Sequence, residues 1–549
     1  MQSLSTPNKV RHRRSIRFDG WQVSTSLIAF LVLVPLVTLL LSFFHSEPQI
    51  WEHILQTMMS RLLINTAILV TGVAVCTTLI GVSLAWFTGA CDFPGRKFFS
   101  WALLLPMAMP TYVLAFVWLG LLDFSGPVQT GLRNMFGSGF RLPEFRSVGG
   151  VIQIMALALY PYVYLLTKNG FSTQGARAIE AAESLGCSRV QAFFRVALPM
   201  AWPWIAGGVL LVVMETLADF GAVSIFNFDT FTTAIYKAWF GFFSLHAAAQ
   251  LSTVLIVLVF IIMELDKRSR RKRRFFQAER QQTPAPRIQL SPRMKWLACG
   301  CCSLVMFMGF GLPLLQLLFW TVTVWGEEIS SRYLFLLFHS ATLAITAALI
   351  IVFLAFVLAY ASRRHPAGIT QLMIHVATLG YGLPGTVLAI GIFIPISGLD
   401  SLLVSVQERF DFVKAGPLLQ GTIAVMLLAY IIRFLAAGYK AVDSAMHRVT
   451  PSIDEAARLM GLRGPKILMK IHLPIIKGGA LTALIVVFVD VMKEMPITLM
   501  TRPFGWDTLS VKIFELTSEG EWERAAIPSL CLVITGLLPI IFFMRKSES

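Results

Sequence analysis

The 549-residue sequence is short of charge: Asp, Glu, Lys and Arg together make 14% of it, against about 25% in an ordinary globular domain. That scarcity excludes a cytosolic enzyme and a disordered tail. The seven cysteines are odd in number, and Cys299 and Cys302 have no second C-x-x-C unit to complete a zinc site; the apolar composition excludes a secreted disulfide scaffold. Cys299, Cys301 and Cys302 cluster near the start of an apolar segment, where they read as small polarizable packing residues. The nine histidines contain no H-E-x-x-H pattern, and His339, His375 and His472 stand isolated. No G-x-x-x-x-G-K-[ST] loop is present to cradle a nucleotide. What is abundant is apolar: 56% of the residues are hydrophobic, with a mean hydropathy of +0.71. At ~20 apolar residues per membrane-crossing helix this allows roughly a dozen spans.

Apolar runs of spanning length fall near 24–44, 64–88, 99–122, 148–168, 201–225 and 246–263, then near 296–325, 334–361, 370–396, 418–440, 478–500 and 526–544. The expectation is an all-α integral membrane protein of about 12 helices in two halves, 1–263 and 296–549. A basic linker, 264–295, separates them and carries Pro284, Pro286 and Pro292. The first run is long enough to span and lacks a small-residue cleavage pattern, so it is expected to stay as the first helix rather than leave as a signal peptide.

The formal net charge of +16 is explained by its placement. Arg11, Arg13, Arg14 and Arg17 precede the first span, and Lys267, Arg268, Arg270, Arg271, Lys272, Arg273 and Arg274 follow the sixth. Both clusters read as cytoplasmic flanks under the positive-inside rule, with both chain termini inside. Arg96, Lys97, Arg363, Arg364, Arg545 and Lys546 agree with that alternation. Arg133, Arg141 and Arg146 fall in an outer loop long enough to fold as a small element of its own. Such juxtamembrane bases match anionic lipid headgroups. No aromatic-interleaved basic surface supports nucleic-acid binding.

Two six-span halves have the same orientation, so an internal repeat must be a parallel one. Glu180-Ala181-Ala182, Gly186 and Leu198-Pro199 match Glu455-Ala456-Ala457, Gly461 and Leu473-Pro474 at a constant offset of 275 residues. The same offset carries Glu215 onto Asp490 and Asp219 onto Glu494. A looser match joins Leu105–Leu114 to Leu379–Leu388 around Pro110 and Pro384. Each copy of the polar motif, 177–199 and 451–475, reads as two short helices turning at a glycine, after which a proline restarts the chain toward the membrane.

The pattern Glu-Ala-Ala, three residues, Gly, nine residues, Ile or Val, one residue, Leu-Pro resembles the coupling loop of binding-protein-dependent ABC importer permeases. The resemblance covers essentially the whole chain. It implies that Glu180, Ala181, Ala182, Gly186, Pro199, Glu455, Ala456, Ala457, Gly461 and Pro474 engage the ATPase, the small alanines allowing close approach. Val196 departs from the common form that Ile471 follows, and Gly464-Pro465 shortens the second helix. The implied protein is a permease subunit of the bacterial inner membrane and not itself an enzyme. The implied complex has two separate ABC ATPase subunits, which bind ATP and Mg, and a periplasmic solute-binding protein; no cofactor is expected in this chain.

The strings Met214–Val223, Asp229–Tyr236 and Asp490–Leu499 are similar to ferric-iron permeases, which makes iron(III) the expected solute and thiamine the alternative, with sulfate or polyamine behind. A secondary transporter is a distant alternative, since it has no need of repeated docking loops. Glu215 and Asp219 are spaced to share one helix face, as are Asp490 and Glu494. Carboxylates within spans cost about 2.5–3.5 kcal/mol on insertion scales and usually face a pathway or a partner. These four are expected to line the pathway as hard oxygen donors for a hard cation; no fixed metal site is expected.

Overall fold

The computed structural model describes residues 19–44, 47–172, 176–271, 287–328, 331–410, 417–462 and 465–548. Arg11, Arg13, Arg14, Arg17, Lys272, Arg273, Arg274, Pro284, Pro286 and Gly464 lie outside the described residues. Among those described, eleven helices are long and apolar enough to cross a membrane, and Ala526–Phe542 is a shorter apolar one. A helix satisfies its own backbone hydrogen bonds, which a chain in hydrocarbon requires. Leu27, Phe30, Ile64, Leu79, Phe319, Phe338 and Phe353 are exposed on the outer surfaces of these helices, where lipid takes the place of a protein core.

The two halves share one internal plan. In the first, Met59–Ala90, Val148–Gly170 and Leu198–Ala218 pack on one another; in the second, Ser331–Arg364, Ile423–Met446 and Leu473–Lys493 do the same. The third span of each half is not the single helix expected at 99–122 and 370–396. It is broken into Arg96–Ala102, Leu105–Ala108 and Thr111–Leu122, and into Ile369–Ala377, Leu379–Gly382 and Gly385–Arg409. Pro110 and Pro384 stand in extended backbone at the start of the long segment in each case. A proline there has no N–H to donate and pushes its predecessor out of the helical region.

Terminal helices cross between the halves. Gly20–Ser42 packs on Ile369–Ala377 and Gly385–Arg409 of the second half, and Thr38 Oγ1 donates to the Gly391 carbonyl at 3.1 Å. The turn Phe307–Gly311 and helix Leu312–Glu328 reach Leu105–Ala108 and Thr111–Leu122 of the first half. The last helices do likewise: Leu245–Arg271 lies on Gly385–Arg409, and Ala526–Glu548 lies on Leu105–Ala108. A parallel pairing of Cys91–Asp92 with Ile288–Gln289 ties the end of the linker to the first half. The segment after Leu122 does fold as a small element, helix Pro127–Phe136, with the Arg133 guanidinium 4.2 Å from the Phe124 ring.

Glycine sets the closeness of one helix pair directly. A Cβ on Gly479 would lie 2.2 Å from the Ala445 Cβ, whereas one on its neighbour Gly478 would meet nothing within 4 Å. Gly479→Ala is therefore expected to force Leu473–Lys493 away from Ile423–Met446 and cost about 1–3 kcal/mol as overpacking. Thermal unfolding of the detergent-purified protein should show a fall of several degrees for Gly479→Ala and no comparable fall for Gly478→Ala.

Candidate functional site

At one end of the bundle two short amphipathic helices, Ala176–Ser184 and Pro451–Leu459, project beyond the membrane-length helices. Each ends at a glycine in the left-handed region, Gly186 at φ 87° and Gly461 at φ 82°. The N–H of the next residue then reaches back five positions, Cys187 to the Ala182 carbonyl and Leu462 to the Ala457 carbonyl, both at 3.0 Å. That is the helix-ending turn for which glycine is favoured. A Cβ on either glycine would touch nothing, so backbone conformation and not space selects the residue.

Glu180 and Glu455 are exposed on these helices, as are Ala181 and Ala456. Ala182 and Ala457 are buried against the protein itself, so two of the four alanines face outward. Leu185, at 86% exposure, and Met460, at 71%, occupy matching positions beside the glycines and give each knob an apolar tip.

The prolines do not restart the chain. Pro199 and Pro474 lie within continuous apolar helices, Val190–Ala218 and Leu468–Lys493. Immediately before each, one turn widens, at Phe193–Ala197 and Leu468–His472. Such a turn absorbs the hydrogen bond that proline cannot make.

The two short helices have different surroundings. In the first half Trp86, Phe171 and Phe193 form an aromatic cluster, with ring centroids 4.7–6.3 Å apart, and Ile179 is buried. In the second, Asp454 accepts from Arg363 Nη2 and pairs with His472 Nε2, both at 2.6 Å. His472 is thus not isolated, because the fold brings it to a carboxylate 18 positions away. Burial raises the Asp454 carboxyl, but the Arg363 and His472 bonds outweigh it and hold the group below its ordinary 3.8. Its ionised contribution is complete above that value and lost as pH falls through the lowered native one.

Between the halves lies a cavity of about 940 Å³. Its lining runs from Lys168, Met263, His375 and Lys440, near the end of the bundle that bears the two short helices, to Glu215, Asp219, Asp490 and Glu494 in the interior. All four expected acids reach it, but their geometry differs from that expected. The helices end at Ala218 and Lys493, and Asp219 and Glu494 stand beyond them in extended backbone, so neither pair shares a helix face.

Both of these acids instead cap the short helix that follows. Asp219 Oδ2 accepts from the N–H groups of Ala222 and Val223 at 3.0 and 3.2 Å, and Glu494 Oε1 accepts from Ile497 at 3.2 Å. Capping is the local advantage that ends the helix there, and Pro496 bars continuation in the second copy. The main-chain carbonyls freed at the breaks accept from Thr232 Oγ1 at 2.6 Å and from Ser510 Oγ at 2.9 Å.

Asp219 and Glu494 are therefore committed to structure. Thr111 Oγ1 donates to Asp219 at 2.6 Å, and Arg433 Nε lies 3.4 Å from Glu494. Gly385, in the register of Thr111, leaves the room this ion pair needs: a Cβ there would come within 2.7 Å of both side chains. Lys493 is turned across the interface to the Met107 carbonyl, 2.8 Å away.

Glu215 and Asp490 remain. Neither has a hydrogen bond or close ion pair among the described residues, and Tyr162 and Tyr381 line the same cavity. No group of three or more His, Cys, Asp or Glu able to hold a metal ion occurs among the described residues. Sequence reasoning missed Tyr162, Tyr381, Lys168, Lys440 and Arg433. An arginine inside the apolar run Ile423–Met446 was itself a signal; the tyrosines gave none.

Removing Arg433 alone leaves Glu494 buried and uncompensated, at a cost of about 3–5 kcal/mol. Arg433→Met should accordingly lower the yield of folded protein and its unfolding temperature sharply, and Glu494→Gln in the same chain should restore most of the loss. Size-exclusion profiles and thermal unfolding in detergent measure both.

Residues 81–268 match the family described as binding-protein-dependent transport system inner membrane component. Over 499 residues the chain is 27% identical to the Fe(3+)-transport system permease protein FbpB 2 of Haemophilus influenzae, covering 90% of this chain and 91% of that one. It is 22% identical to the ferric transport system permease protein FbpB of Actinobacillus pleuropneumoniae over 94% of this chain and 76% of that one. The sulfate transport system permease protein CysT of Escherichia coli is 28% identical over 39% of this chain and 76% of its own length. With the repeated short helices and the exchanged terminal helices, these similarities mark residues 81–268 as a binding-protein-dependent transport system inner membrane component, within an all-helical, multi-pass chain that resembles a fused two-repeat permease along almost its whole length.

Proposed function

We propose that this permease is the membrane subunit of an ATP-driven importer of iron(III). The observation that carries the reading is geometric: two outward-facing docking helices lie at the end of the bundle toward which the central cavity runs. One ATPase subunit seats on each docking helix, with Glu180 or Glu455 and the apolar tip Leu185 or Met460 at the contact. ATP and Mg belong to those subunits. The docking end and both termini are cytoplasmic, in keeping with the basic flanks, and a periplasmic binding protein delivers the solute to the opposite end. The cavity described is the inward-facing one, and ATP-driven closure of the ATPase pair shifts the bundle toward the outward-facing state.

Iron is supported by the relatives that match along almost the whole chain, both named for Fe(3+) or ferric transport. It is supported as well by the unpaired Glu215 and Asp490, which with Tyr162 and Tyr381 offer oxygen atoms to a hard cation in transit. A second reading, import of an oxyanion, is favoured by Lys168, Arg433, Lys440 and Lys493 on the same cavity wall.

Uptake of radiolabelled iron, sulfate and thiamine by a deletion strain, with and without the chain, separates these readings. Iron uptake should depend on the chain and the other two should not. Glu215→Gln with Asp490→Asn should cut iron uptake about tenfold or more, from the loss of two charged ligands, while the purified complex keeps its ATPase. Glu180→Lys with Glu455→Lys should abolish co-purification of the ATPase. Iron uptake independent of the chain, or sulfate uptake dependent on it, overturns the assignment.

A further inference from the structure

The two docking helices belong to matching repeats, yet matching positions on and around them carry chemically unlike residues. In the second half the Asp454 carboxylate joins three elements. It lies on the docking helix Pro451–Leu459. Arg363, at the end of Ser331–Arg364, contacts it through Nη2 at 2.6 Å and Nε at 3.3 Å. His472, in the turn before Leu473–Lys493, contacts its other oxygen at 2.6 Å.

The guanidinium is fixed further by the Val449 carbonyl and by that of Thr450 at 3.4 Å. His472 is 3% exposed and packs beside Tyr360, ring centroids 5.9 Å apart. Tyr360 in turn packs on Trp21 at 4.6 Å, in the helix that crosses over from the other half. Charge-assisted bonds at these distances resist both sliding and rotation.

The matching positions of the first half cannot form this triad. At the offset of 275, Ile179 stands where Asp454 does and Ala197 where His472 does; at the offset of 274 that relates the preceding helices, Gly89 stands in the place of Arg363. All three triad members are replaced by residues unable to form an ion pair. Trp86, Phe171 and Phe193 pack together close to the first docking helix.

We propose that Arg363, Asp454 and His472 form a rigid strut locking the second docking helix to two membrane helices, so that ATPase motion at that helix passes to both of them. This rests on the reading above that both helices engage an ATPase. The three side chains are positioning residues and touch neither nucleotide nor solute.

The test uses the full complex of permease, ATPase and binding protein in proteoliposomes, with ATP hydrolysed per iron transported as the readout. Asp454→Asn and His472→Leu should each raise that ratio about tenfold, the loss of one charged hydrogen bond. His472→Gln, which still donates to Asp454, should keep it within about twofold of the unmodified protein, because an amide N–H replaces the ring N–H at the same carboxylate. Ile179→Val, in the first half, should leave the ratio unchanged.

An unchanged ratio in both Asp454→Asn and His472→Leu overturns the strut. Should His472→Leu instead lose the ATPase on purification, His472→Gln must restore it, and failure of glutamine to do so likewise overturns it. An unmodified complex that moves iron without hydrolysing ATP sinks the importer reading itself, a result distinct from either of these.

Discussion

A backbone that breaks inside a membrane must find partners for the amide and carbonyl groups it frees, because hydrocarbon supplies none. This protein breaks two helices at matched positions, after Ala218 and after Lys493, and the break is what shapes its centre. The carboxylates of Asp219 and Glu494 take the freed N–H groups of the next short helix, and Thr232 and Ser510 take the freed carbonyls. Each carboxylate needs an answer of its own, and the halves give different ones: a threonine hydroxyl in the first, a buried arginine in the second. Because the breaks spend these groups on structure, the charges left to the cavity are those one turn earlier, Glu215 and Asp490.

The symmetry of the repeat is therefore architectural more than chemical. Backbone geometry is conserved between the halves: glycines at φ 87° and 82°, widened turns before Pro199 and Pro474, and extended prolines at 110 and 384. Side chains at matching places are free to differ where the backbone does not depend on them. Thr111 against Gly385, Ile179 against Asp454 and Ala197 against His472 are such places. Each exchange of an apolar or small residue for a charged one is accompanied by a partner that compensates it, as burial of charge demands.

Much of this frame was legible in the sequence. The span count, the parallel repeat and the glycine turns all rest on local signals, hydropathy and a residue whose backbone freedom is unique. The helix breaks were only half legible. Asp219 and Glu494 sit four residues after another acid, a spacing that equally suits one continuous helix face, and nothing local reveals that a following N–H will be captured. The prolines misled in the opposite direction, since a widened turn lets a helix run through them. His472 and Arg363 were unreadable as a pair with Asp454, because contact over 18 and 91 positions is a property of the packed bundle. Tyr162 and Tyr381 were hidden for the same reason: an aromatic in an apolar run carries no mark of which way it faces.

Fusion of the two halves gives this divergence its physical opportunity. In a pair of identical subunits every substitution appears twice, so a carboxylate introduced at one docking helix would also appear at the other, whether or not an arginine and a histidine stood ready there. With both halves on one chain, the triad at Asp454 can arise once, and the crossing helix Gly20–Ser42 can contribute Trp21 to its support. The same exchange of terminal helices keeps the differing halves moving together, because neither can shift without carrying a helix of the other. The crossing helices and the charged triad thus tie spans of both halves into one bundle around the cavity that Glu215 and Asp490 line.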